Sequence, residues 1–370
     1  MPEPLKNLYS TELVKSLGEQ VSNLYGDFDT DGFSAHVIDS EWEGRELKER
    51  MKHISESLHR YLPMEYSDAI QILMESSSKF SGFQYMFFPG FVELYGLNKF
   101  EKSIQALEHF TKHSSSEFAV RPFIKKDSYK MMAQMQLWAK SQNHHVRRLA
   151  SEGCRPRLPW AMALPEFKQD PSQILPILEK LKNDDSEYVR RSVANNLNDI
   201  SKDNPQVVID IAKSWLGNSQ QTNRIVKHAC RTLLKQGHPE IMNLFGFLKP
   251  EHIEIRNFTA QKSVEMGENL DFSFKLESQQ QKLGKLRVEY AIGFVKKNGN
   301  RSKKMFKISE SEINGNNKTV AKSHSFKKIS TRKHYAGNHS IGIFVNGCEL
   351  ASMEFLLSEK ILTKSRTRKK

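Results

Sequence analysis

Apolar residues recur every three to four positions from about residue 10 to 247, as in WEGRELKERMKHISESLHRYL at 42–62 and PSQILPILEKLKNDD at 171–185. Short Pro, Gly, Ser and Asp breaks separate the runs. That period gathers apolar side chains on one face of a helix, so residues 1–247 are expected to be almost wholly helical. After Pro250 the period falls to two, in LDFSFKLES, KLRVEYAIGFV, KMFKISE and HSIGIFVNGCELASMEFLL, divided by the polar turns KKNGNRSKK and NGNN. About seven short strands over 251–360 predict an all-β immunoglobulin-like sandwich, with Tyr335 as a candidate corner tyrosine. Residues 361–370 read as a basic flexible tail.

The helical part repeats itself. With Val146 set over Val189, 43 residues later, Arg147-Arg148 falls over Arg190-Arg191. Weaker copies are EFAVRPFI at 117–124 and RIVKHACRTLL at 224–234. Helix pairs at roughly forty-residue spacing predict an α-solenoid of HEAT-like repeats, in which neighbours share one core.

A helical wheel on the second repeat puts Val189, Val193, Leu197 and Ile200 on one side and Arg191, Asn195, Asn198 and Asp199 on the other. The first repeat places Arg148 beside Glu152. Each repeat is therefore expected to present a cation with a carboxylate or amide from a polar face. The plainer alternative is an i,i+4 salt bridge between Arg148 and Glu152, worth a few tenths of a kcal/mol. Glu117 also has a structural rival, because Ser114-x-x-Glu117 has the spacing of a helix capping box. Asp199 is expected near a helix C-terminus, since Asn204-Pro205 reads as the next helix start, and the helix dipole disfavours a carboxylate there. Between the repeats runs CRPRLPWAMALPEF, stiffened by prolines, in which Trp160 either stacks on a base or sugar or packs onto the core.

Charge is unevenly placed. Residues 1–116 carry 11 Lys/Arg against 18 Asp/Glu, residues 117–250 carry 21 against 13, and residues 251–370 carry 24 against 12. An acidic first third followed by two basic segments suits a polyanion held by the middle and end of the chain. Several other chemistries are set aside. DFDTDG at 27–32 copies the start of a calcium loop, but its twelfth position is Ile38 rather than glutamate, so an ordinary acidic turn is expected. His144 and His145 are adjacent and lack a second ligand pair at metal spacing, and Cys154, Cys230 and Cys348 lie far apart, so neither a metal nor a cofactor is expected. No Gly-rich phosphate loop or nucleophile elbow is present. The N-terminal stretch lacks the apolar core of a secretory signal, and no membrane span is read, so an intracellular protein is expected.

The strings SSSEFAVRPFI, HHVRRLASEGCRPRLPWA and EYVRRSVANNLNDISKD resemble the AlkC branch of the HEAT-like-repeat DNA glycosylases, relatives of AlkD that remove alkylated bases. The resemblance covers roughly residues 1–250, and the immunoglobulin-like C-terminal domain that some members of this branch carry matches the β-pattern beyond. It implies a monofunctional DNA glycosylase acting on cationic alkylated bases, 3-methyladenine and 3-methylcytosine, in duplex DNA without base flipping. Active-site carboxylates are implied at Glu117, Glu152 and Asp199, with a lesion-contacting indole at Trp160. Arg121, Arg147, Arg148, Arg155, Arg157, Arg190, Arg191, Lys227 and Arg231 are the candidate backbone anchors. The implied protein is a cytoplasmic, nucleoid-associated monomer whose partner is alkylated double-stranded DNA. The alternatives are a non-catalytic HEAT-repeat scaffold and a catalytically silent DNA-binding protein.

Overall fold

A computed structural model describes residues 3–279, 282–329 and 332–359, so the tail expected at 361–370 lies outside the described residues. The chain divides into two compact units, Met1–Cys230 and Arg231–Lys370.

The first unit is helical. Its α-helices are α1 (Thr11–Ser22), α2 (Thr30–Val37), α3 (Leu47–Tyr61), α4 (Tyr66–Ser77), α5 (Phe87–Tyr95), α6 (Phe100–Thr111) and α7 (Val120–Lys126). They continue with α8 (Ser128–Trp138), α9 (His144–Glu152), α10 (Pro165–Gln169), α11 (Leu175–Leu181), α12 (Glu187–Ile200), α13 (Pro205–Trp215) and α14 (Gln220–Ala229). The acidic turn at 27–32 is a helix start, where the Asp29 side chain caps α2 by accepting from the Gly32 amide at 2.9 Å.

Repeat helices α9, α12 and α14 pack side by side in that order. Asn143 opens α9 by accepting from the His145 amide, and Ser219 opens α14 with a capping box to Thr222. The predicted stripe of α12, Val189, Val193, Leu197 and Ile200, is fully buried, which stabilises by on the order of 2 kcal/mol per side chain. The predicted polar side is only partly a solvent face, with Arg191 exposed and Asn195 half-buried. Ser192, Asn196, Asn198 and Asp199 are buried as well, because α12 is covered by a neighbour on each side.

The second unit begins with two short helices, α15 (Arg231–Gln236) and α16 (Pro239–Leu244), which group with the strands rather than with the solenoid. The division thus falls before the boundary expected at 247. Gly237 (φ +68°) and Gly347 (φ +83°) pack backbone to backbone: a Cβ on Gly237 would stand 2.9 Å from the Gly347 Cα, so neither tolerates a side chain. The Asn346 amide also donates to the Leu248 carbonyl at 2.8 Å.

Eight strands follow among the described residues, against about seven expected: β1 (Glu254–Ala260), β2 (Ser263–Glu265), β3 (Asn269–Glu277), β4 (Gly284–Val295), β5 (Arg301–Ile313), β6 (Asn317–Ser325), β7 (Gly337–Val345) and β8 (Cys348–Ser358). They form two sheets, ordered β1-β3-β6 and β2-β8-β7-β4-β5. The three-residue β2, too short to show alternation, pairs parallel to β8. Inward residues of β3, β4 and β7, among them Phe272, Phe274, Val288, Ile292, Ile341 and Ile343, make the sandwich core. The immunoglobulin-like architecture is as expected, but Tyr335 contributes its carbonyl, which accepts from the His339 imidazole, and no hydrogen bond of its hydroxyl occurs among the described residues.

Candidate active site

Three carboxylates from separate elements meet in one ionic chain. Glu117 lies in the turn before α7, Glu152 is the last residue of α9, and Asp199 is the penultimate residue of α12. Arg148, on α9, donates through Nη1 to Glu117 Oε2 and lies 3.4 Å through Nη2 from Glu152 Oε1. Arg155 then links the other two, Nη1 donating to Glu152 Oε1 at 2.6 Å and Nε to Asp199 Oδ2 at 2.9 Å. Lys202 closes the row on Asp199 Oδ1 at 3.0 Å. Ser192 donates to Glu152 Oε2 at 2.7 Å, and Ser115 donates to Glu117 Oε2 at 2.8 Å. Both bonds to Glu117 fall on Oε2, so Oε1 has no hydrogen bond among the described residues.

This geometry removes one structural rival for these residues and absorbs another. No helix starts at Ser114, and the Glu117 carboxylate engages Ser115 and Arg148 rather than a backbone amide, so the capping box is absent. The Arg148–Glu152 pair exists, but inside a buried network in which Glu152 bonds more closely to Arg155. Asp199 does sit where the dipole of α12 opposes it, and Arg155 with Lys202 supplies the offset.

Burial acts against the charges of Arg148 and Arg155, yet in each case the flanking carboxylates outweigh it and hold the guanidinium pKa above its ordinary value. The network opens beside Tyr188. Its ring, 43% exposed, lies under the Arg148 guanidinium at 4.8 Å, and burial pushes its hydroxyl pKa up.

Trp160 is held away from the core. It is 60% exposed and adopts φ +64°, a left-handed backbone that is strained for an aromatic residue. Its carbonyl accepts from Lys48 Nζ at 2.8 Å and its indole meets Phe83 edge-on at 6.4 Å. It projects from the loop that also carries Arg155, although no hydrogen bond or ring contact joins the indole to the three carboxylates. That loop is pinned from beneath by Arg121, which donates to the carbonyls of Met162 (2.7 Å), Gly153 (2.8 Å) and Arg155 (2.9 Å).

The candidate backbone anchors separate into groups. Arg121 is 0% exposed and burial lowers its pKa to about 10, so it cannot meet a phosphate and is a loop anchor instead. Arg155 is likewise buried within the carboxylate chain. Arg147 and Arg190 do the same work in successive repeats. Arg147 donates to the carbonyls of Ser141 and Gln142 and grips Asp184 in a bidentate pair at 2.6 and 2.9 Å; Arg190 donates to the carbonyls of Asp184 and Asp185. These two secure the loops that precede their own helices. Arg148 belongs to the carboxylates. Exposed cations remain at Arg157, paired with Asp203, at Arg191, paired with Glu187, and at Lys227; Arg231 is half-buried and lies in the second unit.

Sequence reasoning missed Tyr188, Ser192, Ser115 and Lys48, which orient or border the site. Tyr188 occupies the place of His145 in the repeat, so an aromatic beside a conspicuous Arg-Arg pair was the available signal. It also missed Arg224, which with Arg190, Arg191 and His228 lines a polar cleft of about 140 Å³ between α12 and α14.

A family model described as "DNA alkylation repair enzyme" matches residues 97–235, and one described as "Uncharacterised protein YhaZ, C-terminal Ig-like domain" matches residues 254–359. The uncharacterized protein YhaZ of Bacillus subtilis (strain 168) is 46% identical over 353 residues, covering 95% of this chain and 98% of that protein. Among solved structures, the Pseudomonas fluorescens alkylpurine DNA glycosylase AlkC, bound to DNA containing an abasic site analog, superposes with a TM-score of 0.92. It is 37% identical, covering 96% of this chain and all of the other. The chain belongs to the AlkC-like branch of the DNA alkylation repair glycosylases, built from a HEAT-like helical unit and an immunoglobulin-like unit. Among the described residues no helix is long and apolar enough to cross a membrane.

Proposed function

We propose that the protein is a monofunctional DNA glycosylase that removes cationic alkylated bases, 3-methyladenine and 3-methylcytosine, from duplex DNA while the lesion stays within the helix. The observation that carries this reading is the meeting of Glu117, Glu152 and Asp199 in one pre-ordered network beside an exposed aromatic edge. The abasic-site DNA bound by the P. fluorescens relative supports DNA as the partner.

An N3-alkylated base already carries positive charge and leaves readily, so the difficulty lies at the sugar. As the C1′–N bond lengthens, its electron pair goes to the base, which departs neutral, and the deoxyribose becomes oxocarbenium-like. Carboxylates fixed in place by Arg148 and Arg155 stabilise that charge without reorganising during the reaction. The attacking water bonds to C1′ and passes a proton to the carboxylate that orients it. Glu117 is the carboxylate suited to orient that water, because its Oε1 is open. Lys202 is ion-paired to Asp199, and the product is read as an abasic site without a covalent amine intermediate.

Base-release chromatography on methylated duplex DNA tests this directly. Wild-type protein is expected to release 3-methyladenine and 3-methylcytosine. Glu117→Gln and Asp199→Asn are expected to lower release by about a hundredfold or more with DNA affinity nearly retained. A well-folded wild-type protein that binds DNA and frees no base identifies a silent DNA-binding protein instead.

A further inference from the structure

A second concavity borders the carboxylate network and has no part in the chemistry above. It encloses about 330 Å³ between α3, α5 and the turn that carries Glu117. Met51, Met86, Pro89, Leu94 and Phe118 give it apolar walls. Two of its residues reach the catalytic machinery: Ser115 donates to Glu117, and Lys48 donates to the Trp160 carbonyl. Inside it stands Glu93, whose carboxyl has no hydrogen bond or ion pair among the described residues.

We propose that this cleft receives the free methylated nucleobase after the glycosidic bond breaks, the apolar walls taking its flat faces and Glu93 accepting from its exocyclic amine. The size is at the low end for a small-molecule site, which suits a base rather than a nucleotide. The charge pattern agrees. A carboxyl within the cleft repels a phosphate, and both ammoniums on its wall are engaged: Lys48 donates to the Trp160 carbonyl and lies 5.5 Å over the Phe118 ring, and Lys52 is paired with Glu56 at 3.1 Å. Burial raises the Glu93 pKa, with Lys48 acting in the opposite sense, as expected of a carboxyl largely withdrawn from water and lacking a hydrogen-bond partner. An apolar slot holding one unpaired polar group is a poor resting state for a protein and a good one for a planar heterocycle.

The assignment rests on the glycosylase reading, and two measurements keep them apart. Isothermal titration of the full-length protein with free 3-methyladenine, without DNA, is expected to show one site. Glu93→Leu and Leu94→Trp, the second filling the cleft from an exposed position, are each expected to weaken binding at least tenfold with the melting temperature of the fold retained. Both variants should keep single-turnover base release and lose product inhibition by added 3-methyladenine. Absence of binding to wild type, or binding unchanged in both variants, overturns the cleft assignment while leaving the glycosylase reading intact. Failure of wild type to release base from alkylated DNA overturns the glycosylase reading and with it the product role of the cleft.

Discussion

Arg121 heads the fully buried large side chains, and what it holds explains why two neighbouring arginine functions look alike in sequence. Its guanidinium ties three carbonyls of the loop that places Arg155 and Trp160, so its removal leaves those acceptors buried without donors. Arg121→Met is expected to cost about 3 kcal/mol of stability, seen in chemical denaturation, and to leave the salt dependence of DNA binding unchanged once corrected for folded fraction. Arg191→Ala is expected to do the reverse, leaving stability within about 0.5 kcal/mol and reducing the slope of log affinity against log salt by about one. Equal slopes for wild type and Arg191→Ala would remove that residue from the DNA surface. Both side chains are spelled Arg, and only tertiary burial separates them. The carboxylates were grouped only through the family resemblance, and apart from Arg148 the residues that surround them were not read as their partners. Glu117, Glu152 and Asp199 stand in ordered motifs, whereas Ser115, Ser192 and Lys48 are common residue types whose value comes from distance alone.

At the level of elements, the seam between α9 and α12 combines apolar packing with polar locks. Ser151 donates to Ser192 at 2.7 Å, Asn196 donates to the Ser151 carbonyl at 2.8 Å, and Arg147 clamps Asp184 ahead of α12. Burial opposes the Asp184 charge, but the Arg147 hydrogen bonds prevail and hold its pKa below the ordinary 3.8. A depressed carboxyl contributes stability that is present above the unfolded value and is lost as pH falls through the folded one. Asp184→Asn is therefore expected to be less stable than wild type by about 2 kcal/mol at pH 7, with the gap closing below pH 3.8. A gap of constant size across that range would show that the charge of Asp184 is not what secures the loop. The apolar stripe of α12 was readable from its spacing. Its polar face was read as one set, Arg191, Asn195, Asn198 and Asp199, but the second neighbour of α12 buries Asn198 and Asp199 while Arg191 stays exposed. A similar failure affects β4, predicted to alternate: Leu286 to Phe294 are all buried, with Arg287 and Glu289 paired at 2.6 Å on the second face.

For the whole molecule, the division at Cys230 makes a prediction that a boundary at 247 does not. Leu233, Leu234, Ile241, Met242 and Phe247 are buried in the full chain, and in the second unit Gly237 packs on Gly347, Met242 reaches Gly347 and Asn346 holds the Leu248 carbonyl. A fragment of residues 1–250 keeps α15 and α16 but removes Gly347, Asn346 and Lys285, uncovering Met242 and Phe247 among the apolar side chains of that segment. A fragment ending at 230 has no such segment. Both are expected to give helical circular dichroism, but only the longer one should show rapid hydrogen exchange and proteolysis across 231–250 and a tendency to associate. Loss of the basic second unit, in which residues 251–370 carry 24 Lys/Arg against 12 Asp/Glu, is expected to weaken DNA binding by either fragment, most strongly at low salt. If the 1–250 fragment is as protected over 231–250 as the full chain, α15 and α16 derive their order from the solenoid and the unit boundary belongs after them. If affinity is also unchanged at every salt concentration, the positive charge of the sandwich serves some partner other than the duplex.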